Sequence, residues 1–449
     1  MATYYNGAEQ PQFNSLDGTV QGAQYAAKPT NRSSSSVLQA LSKACAIFYF
    51  LLLTAVAVIA FILGGYATAR VRSIHISDAV LVSDPKTAPA GYSVFSLGTG
   101  LGYWSPAADM IHARSDHGVI SYQKYAYLIG GLTAFNGSNA TVLRSVVQYD
   151  TETGLMYEMK PLPEARYRFA YAQLNGQIYV MGGSSDVEKG TPTNTVFVYN
   201  ISGNSWSPIG QLQTPRVDPC GAAANGKVYV FGGYDLDGNS LSTVEVCDPS
   251  TAAGSAPAVC TQLPARSNLL DARGDCRAVS IDNIIYAMGG AQWFNNTKQN
   301  CTANWVYCYK FLNTVEAFNP ATGQWSPRAP MISKRGDFGI EALPGGRIIV
   351  AGGERGNGTQ NFMAMYDVEE YIVQDDIWVQ KAPLPEARFR DDLAYVSGRV
   401  YAFGGTPTCD LIEGAPCSKL ALKTVFAYFD VVYPRLYAFF KPANTNANS

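Results

Sequence analysis

Short runs of aromatic and β-branched residues recur along the chain from about residue 119 to residue 430, and each run is bounded by glycine or polar residues. Residues 178–181 (IYVM) and 228–231 (VYVF) are two of them, and the dipeptides Asn175-Gly176 and Asn225-Gly226 stand just ahead of these runs. Apolar runs this short, with turn residues close by, are typical of the second strands of β-hairpins. The pattern therefore predicts an all-β protein.

Six of these runs end in a pair of glycines, and each pair follows an arginine at a nearly constant distance. The arginines are Arg114, Arg166, Arg216, Arg273, Arg335 and Arg388, and the pairs begin at Gly130, Gly182, Gly232, Gly289, Gly352 and Gly404. The interval is 16 residues in five of the six copies. It is 17 residues in the copy that begins at Arg335, where Gly345-Gly346 adds one residue. A register kept over about 300 residues is typical of equivalent units that bury their apolar faces against one another.

Each unit continues with two further predicted strands. The third strands are residues 146–150, 196–200, 244–248, 315–319, 368–372 and 425–429. On the fourth strand, Trp206, Trp325 and Trp378 stand ten residues ahead of the next arginine. Trp104 holds the same place ahead of Arg114, although no unit precedes it. We therefore expect the strand of Trp104 to close a ring as the outermost strand of the sixth unit, with residues 435–440 as the alternative.

These arginine, Gly-Gly, Tyr-Asp and Trp landmarks, repeated about every 50 residues, resemble the kelch repeat. The resemblance covers residues 104–430 and implies a six-bladed kelch-type β-propeller, which we expect within residues 101–435, followed by a C-terminal tail at 436–449. Met156 and Leu263 replace the tryptophan in two copies, and units four and six carry long inserts.

Residues 44–69 form a stretch of 26 uncharged residues. A helix needs about 20 apolar residues to cross the hydrocarbon core of a bilayer, so we expect a transmembrane signal-anchor helix here. A disordered cytosolic tail (1–43) would precede it, and a stalk (70–100) would lead to the propeller. Cleavage after Ala67-Thr68-Ala69, which has the form of a signal-peptidase site, is the alternative.

Eight of the nine cysteines and six glycosylation acceptor sequences lie beyond residue 69. The acceptors are Asn136, Asn139, Asn200, Asn295, Asn300 and Asn357. The expected disulfides are Cys301–Cys308, Cys409–Cys417, Cys247–Cys260 and Cys220–Cys276. Both features favour a propeller on the lumenal or extracellular side of a membrane, in the secretory pathway (the Golgi, for example) or at the plasma membrane. A cytosolic propeller with buried free thiols is the alternative.

Four of the units read Arg-x-Asp, which adds Asp116, Asp218, Asp275 and Asp337 to the six repeat arginines. Arginine suits carboxylates and sugar hydroxyls, and aspartate suits hydroxyls or a cation. We therefore predict a ligand-binding channel rim with two tryptophans from the insert of unit four. Its candidate residues are Arg114, Asp116, Arg166, Arg216, Asp218, Arg273, Asp275, Arg335, Asp337, Arg388, Trp293 and Trp305. In the alternative interpretation, the charged residues pair with one another and hold the blades in register.

The remaining composition narrows the possible functions. The net charge of −2 and the pI of 6.0 give no electrostatic case for nucleic acid. The chain has only three histidines, whereas the copper oxidases among kelch propellers need histidine ligands, so we predict no metal, no cofactor and no catalytic residues. The expected function is a protein- or glycan-binding module. A metal-independent sugar-modifying enzyme, like the bacterial kelch propellers that isomerise a sialic acid, and a structural glycoprotein-coat component are the alternatives.

Overall fold

The computed structural model describes residues 80–82, 93–96, 102–133, 140–251, 259–293, 309–356, 362–407, 421–430 and 437–440. The expected cytosolic tail and membrane helix lie outside these residues. The following also lie outside them: Trp305, the acceptors Asn136, Asn139, Asn295, Asn300 and Asn357, and the cysteine pairs Cys301–Cys308 and Cys409–Cys417. Within the described ranges, no helix has the length and apolar character needed to cross a membrane.

Six four-stranded antiparallel sheets follow one another along the chain, which confirms the predicted six-bladed, all-β propeller. From the innermost to the outermost strand, the first three blades are Gly118–Tyr122, Tyr125–Ile129, Val146–Asp150, Met156–Met159; Ala170–Leu174, Gln177–Met181, Thr193–Asn200, Ser205–Arg216; and Cys220–Ala224, Lys227–Phe231, Val244–Asp248, Val259–Gln262. Blades four to six are Arg277–Ile281, Ile284–Met288, Val315–Asn319, Gln324–Arg328; Gly339–Leu343, Arg347–Ala351, Val368–Ile372, Ile377–Lys381; and Asp392–Val396, Arg399–Phe403, Val425–Phe429, Tyr103–Pro106.

The turns and the glycine pairs follow from backbone geometry. Asn175 (φ 52°) and Gly176 (φ 74°) form the two-residue turn of the first hairpin of blade two, since both residue types tolerate a left-handed backbone. Gly131 has a φ of 99°, and a Cβ atom there would lie 2.5 Å from the carbonyl oxygen of Ser115. The second glycine of the pair is therefore needed where two backbone segments of the same blade meet.

The N-terminal strand of the propeller closes the ring. Tyr103–Pro106 pairs antiparallel with Val425–Phe429, and Trp104 stands opposite Tyr428. The predicted closure by Trp104 is confirmed. The competing C-terminal run instead contributes Tyr437–Phe440 to a separate three-stranded sheet, between Val80–Val82 and Ser93–Ser96. The expected stalk and C-terminal tail therefore each supply strands.

The apolar core is divided among the blades: one cluster of buried residues lies between each pair of neighbours. Two small hairpins extend the connections between the second and third strands. Ala291–Trp293 pairs with Tyr309–Phe311 in blade four, and Glu354–Gly356 pairs with Phe362–Ala364 in blade five. These hairpins carry Trp293, Tyr309 and Glu354 to one mouth of the central channel.

Candidate functional site at the channel mouth

The six repeat arginines are fully buried inside the blades. Five of them donate a hydrogen bond from Nη1 to the carbonyl oxygen of the first glycine of their own pair, at 2.7–3.1 Å; these are Arg114, Arg216, Arg273, Arg335 and Arg388. Because the donor and the acceptor are the two landmarks of the repeat, this bond explains their constant spacing along the chain.

Buried glutamates complete the arginine sites of blades three to five, and the sequence analysis missed them. Arg216 lies 2.7 Å from Glu245, Arg335 lies 2.5 Å from Glu369, and Arg273 pairs with Glu316. Their signal is a Val-Glu dipeptide that opens the third strand in three consecutive copies. Guanidiniums buried in this way are not exposed to a ligand. This geometry favours the alternative interpretation, in which the arginines hold the blades in register.

The residue two positions after each repeat arginine lies at the channel axis. These residues are Asp116, Arg168, Asp218, Asp275, Asp337 and Arg390, which we call the axial ring. All six have a left-handed backbone, with φ between 49° and 59°. Each backbone N–H donates to the carbonyl oxygen of the equivalent residue in the preceding blade, at 2.6–3.2 Å, so that six hydrogen bonds form a closed circle. The structure thus brings together the four predicted aspartates, along with two arginines that we did not select.

Ion pairs connect the side chains of the axial ring. Arg168 lies 3.0 Å from Asp116 and 3.2 Å from Asp218. Arg390 lies 3.1 Å from Asp337 and 3.4 Å from Asp116. The remaining aspartate, Asp275, accepts a hydrogen bond from the hydroxyl of Tyr234 at 2.8 Å.

The carboxylates of the ring differ in their pKa values. Burial raises the pKa of Asp275 to about 6, and the nearby charge of Asp337 adds to this effect. Burial also raises the pKa of Asp218 well above its ordinary value. At Asp116 the effect of burial is outweighed by Arg390 and Arg168, which lower the pKa of that carboxyl. Negative charge is therefore least well compensated on the side of Asp218 and Asp275.

An open cavity of about 360 Å³ lies over the axial ring, and we call it the loop-face mouth. Its floor includes four residues of the ring, and its walls come from loops between second and third strands, which bring Lys189, Tyr234, Leu236, Tyr309 and Glu354. The predicted Trp293 packs edge to face on Tyr309, with ring centroids 5.1 Å apart. Charged groups of both signs and aromatic rings therefore meet at one opening.

A second cavity, of about 470 Å³, lies among the innermost strands, and we call it the strand-face mouth. Small residues such as Ala172, Gly221 and Ala278 form much of its wall. Glu341 also lines it, and accepts hydrogen bonds of 3.1 Å from the Ser121 hydroxyl and the Tyr395 N–H. Burial raises the pKa of Glu341 to about 7.

Two expected disulfides are present. Cys247–Cys260 joins the third and fourth strands of blade three, with Cα atoms 4.0 Å apart, and Cys220–Cys276 joins blade three to blade four, with Cα atoms 5.7 Å apart. Asn200 is the one acceptor asparagine in the described part of the chain. It is exposed at the end of a strand, where its Oδ1 accepts a hydrogen bond from the Gly203 N–H at 2.9 Å.

One group of three side chains among the described residues has the spacing of metal ligands, namely Asp218, Asp275 and Asp337 of the axial ring. Of the two histidines among the described residues, His117 is buried and His112 is exposed, with its Nε2 atom 3.4 Å from Oε1 of Glu158. Neither histidine is part of that group.

Comparison with known proteins agrees with the repeat pattern. A family model described as the KLHDC2/KLHL20/DRC7 Kelch-repeats domain matches residues 116–334 and 168–405. Alpha-scruin of Limulus polyphemus is 28% identical over 165 residues (35% of this chain and 18% of scruin). Kelch-like protein 26 of Danio rerio is 23% identical over 263 residues (59% and 39%), and Kelch-like protein terF of Aspergillus terreus is 23% identical over 361 residues (76% and 72%).

The chain spans only 18% to 39% of the length of the first six curated relatives that it matches. The solved structure of YjhT superposes with a TM-score of 0.54 and 15% identity, covering 72% of this chain and 96% of that one. At this identity the likeness extends to the fold alone.

Proposed function

We propose that this chain, which belongs to the kelch-repeat family, is a binding module that takes a protein ligand at the loop-face mouth. Kelch propellers are typical protein-binding modules. One observation carries the proposal: the open cavity of about 360 Å³ in which tyrosines, an exposed leucine and charges of both signs converge. Binding sites of this kind combine apolar contact area with a few polar groups that set orientation.

The side chains at this mouth suit a protein surface. Leu236 is 67% exposed and lines the same cavity as the tyrosines, so it adds apolar contact area at this opening. The half-buried Tyr309 stands edge to face with the buried Tyr234, with centroids 6.0 Å apart, and a tyrosine held in this way offers large contact area at low entropic cost. Lys189 and Asp235, which also line this cavity, add one charge of each sign. All of these residues lie in loops held by a rigid ring of blades, which is where binding residues concentrate.

The strand-face mouth is a weaker candidate, although it is larger. Alanine, glycine and serine make up about half of its wall, as at Ala172, Gly221 and Ala278. Interface energy comes mainly from aromatic and arginine side chains seated in pockets, and small residues provide little of it. We therefore place the protein ligand at the loop-face mouth.

The test is affinity capture with the full-length chain, expressed in a eukaryotic host and isolated from its membranes. We expect Leu236→Ser and Tyr309→Ala each to weaken capture of the dominant partner by about tenfold or more. Trp293→Ala should weaken it less, because Trp293 supports Tyr309 from behind. Leu155→Ser is the matched control, since Leu155 is 56% exposed but lies in blade one, away from the cavity.

Equal capture by wild type and both mouth variants would contradict the proposal, as would an equal loss with Leu155→Ser. A glycan array probed with the same variants separates the two ligand classes. If the wild type binds a glycan and Tyr309→Ala does not, the ligand of the loop-face mouth is a sugar and not a protein. Turnover of a free sugar would favour the sugar-modifying enzyme over a binding module.

We propose further that the chain is anchored in a membrane by residues 44–69, with its propeller in the lumen of the secretory pathway or outside the cell. The uncharged length of that stretch supports the anchor. The two disulfides support an oxidising compartment. Gel mobility before and after deglycosylation and reduction tests the placement, and we expect a shift with each treatment. No shift with either would contradict it.

A further inference from the structure

Three carboxylates of the axial ring converge on the channel axis, and two of them, Asp218 and Asp275, also line the loop-face mouth. One oxygen from each of Asp218, Asp275 and Asp337 lies within 4.8 Å of the other two, and all three residues are buried. Calcium binds oxygen ligands at roughly 2.3–2.6 Å, so two ligands on opposite sides of one ion lie up to about 5 Å apart. The three oxygens are therefore close enough together for one ion to lie among them after small adjustments of the side chains.

The contacts of these aspartates use one oxygen each. Oδ2 of Asp218 pairs with Arg168, and Oδ2 of Asp337 pairs with Arg390. Oδ2 of Asp275 accepts the hydrogen bond from Tyr234. The closest recorded approach to Oδ1 of Asp337, among the described residues, is that of an Arg277 nitrogen at 3.8 Å. The Oδ1 atoms thus supply donors that the axial ring itself does not use.

A fourth carboxylate independently points to a ligand at the same place. Glu354 is 3% exposed and lines the same cavity as Asp218 and Asp275. Its Oε2 atom is buried and has no hydrogen-bond partner among the residues that the structure describes. An unpartnered buried carboxylate is costly unless a cation or a proton neutralises it.

The charges around the axis are unbalanced. Five carboxylates meet here, from the four aspartates of the axial ring and Glu354. Three guanidiniums face them, from Arg168, Arg277 and Arg390. With all five carboxyls ionised, the excess is two negative charges in a largely buried space, which one divalent cation would balance.

We propose that Asp218, Asp275, Asp337 and Glu354 bind a hard divalent cation, with Ca²⁺ as the best match. All of the donors are oxygens, which calcium prefers, whereas zinc and copper favour sites that include nitrogen or sulfur. The site lies beneath the proposed protein-binding mouth but does not depend on it, because it is built from the axial ring and one hairpin of blade five.

The test uses the full-length purified chain, stripped with EDTA and titrated with CaCl₂ while thermal unfolding is followed. We expect a saturable rise in Tm of roughly 3–8 °C at 100 times the dissociation constant. Asp275→Asn and Glu354→Gln should each weaken the apparent affinity at least tenfold. Glu354→Gln is the safer variant, because it removes a charge without breaking a hydrogen bond of the described structure at Oε2. Glu158→Gln is the control: it also removes one carboxylate charge, but the Glu158 side chain is 70% exposed on the outer strand of blade one, so the affinity should change less than threefold.

Terbium luminescence adds a direct measurement, since Tyr234 is hydrogen-bonded to Asp275 and can sensitise a lanthanide bound there. We expect sensitised emission that Ca²⁺ displaces and that Glu354→Gln abolishes. A similar response to Mg²⁺ would support the same site with a less selective cation. A Tm that does not respond to either cation would overturn the proposal. An unchanged Ca²⁺ response in both Asp275→Asn and Glu354→Gln would also overturn it, because the cation would then bind elsewhere.

Discussion

Each repeat arginine ties together two segments of its own blade. Arg273 donates to the carbonyl oxygen of Gly289 at 2.9 Å and pairs with the carboxylate of Glu316. The same carboxylate accepts hydrogen bonds from the backbone N–H groups of Leu270 and Asp271, at 2.7 and 3.1 Å. One buried ion pair therefore joins the segment that enters the blade, the glycine pair of the blade and its third strand.

We predict that Glu316→Gln destabilises the fold by about 3–5 kcal/mol, because removing one partner leaves the buried charge of Arg273 without compensation. Thermal or urea unfolding of the full-length chain measures this loss. Asp271→Asn is the control: Asp271 also approaches Arg273, at 3.6 Å, but its side chain is 38% exposed, so we expect less than about 1 kcal/mol. Equal losses in the two variants would contradict the account.

Asp391 is a buried carboxyl whose two oxygens have no hydrogen-bond partner in the described part of the chain. Burial raises its pKa to about 8. The folded chain therefore keeps a proton that the unfolded chain releases above about pH 4, and stability falls as the pH rises from about 4 to about 8, by up to about 1.4 kcal/mol per unit.

We predict that Asp391→Asn removes this pH dependence, and that the variant gains more Tm over wild type at pH 8 than at pH 5. Unfolding temperatures of both proteins across this range provide the measurement. A gain of the same size at every pH would show that Asp391 does not titrate in the folded state as described.

The sequence located the axial residues only in part. The Arg-x-Asp pattern predicted the positions of Asp116, Asp218, Asp275 and Asp337, and the structure places all four at the axis. The pattern did not show that the arginine is buried inside the blade whereas the aspartate lies at the channel. That difference depends on the left-handed backbone at the third position, which no spacing of residue types reveals.

At the scale of the strand, tryptophans tie the outer strands of four blades to the preceding blade. The indole N–H groups of Trp104, Trp206, Trp325 and Trp378 donate to the carbonyl oxygens of Ala382, Lys160, Ser267 and Ala329, at 2.8–2.9 Å. Trp104 makes this contact from the strand that closes the ring. That strand is therefore held to blade five by a side chain as well as to Val425–Phe429 by strand pairing.

We predict that Trp104→Ala lowers stability by roughly 2–4 kcal/mol and speeds amide hydrogen exchange in Val425–Phe429, the strand that pairs with it. Hydrogen-exchange mass spectrometry of the full-length chain is the measurement. Tyr157→Ala is the control, because Tyr157 is 48% exposed on the outer strand of blade one. Unchanged exchange in Val425–Phe429 with Trp104→Ala would contradict ring closure by that strand.

Repetition explains why the blades were predictable and the mouths were not. Six copies of one pattern reinforce each other, so that single departures such as Met156 leave the strand assignment intact. The loop-face mouth is formed by residues that differ from copy to copy, including Leu236, Tyr309 and Glu354. These residues come together only when distant segments of the chain fold against one another. The hairpin that carries Glu354 has no sequence motif that recurs in the other copies.

For the whole molecule, the closed circle of backbone hydrogen bonds at the axial ring divides the channel into two mouths of different chemistry. The loop-face mouth carries aromatic and charged side chains that differ from copy to copy, whereas small residues form about half of the wall of the strand-face mouth. A protein ligand that binds this propeller through its channel should therefore contact one face only.

Site-directed photocrosslinking tests that claim most directly. A benzophenone amino acid replaces Leu236 at the loop-face mouth in one full-length protein and Asn283 at the strand-face mouth in another. Both proteins are irradiated in intact cells and analysed for adducts by mass spectrometry. We predict a discrete protein adduct at position 236 and none of the same mass at position 283. An adduct at position 283 alone, or the same adduct at both positions, would contradict it.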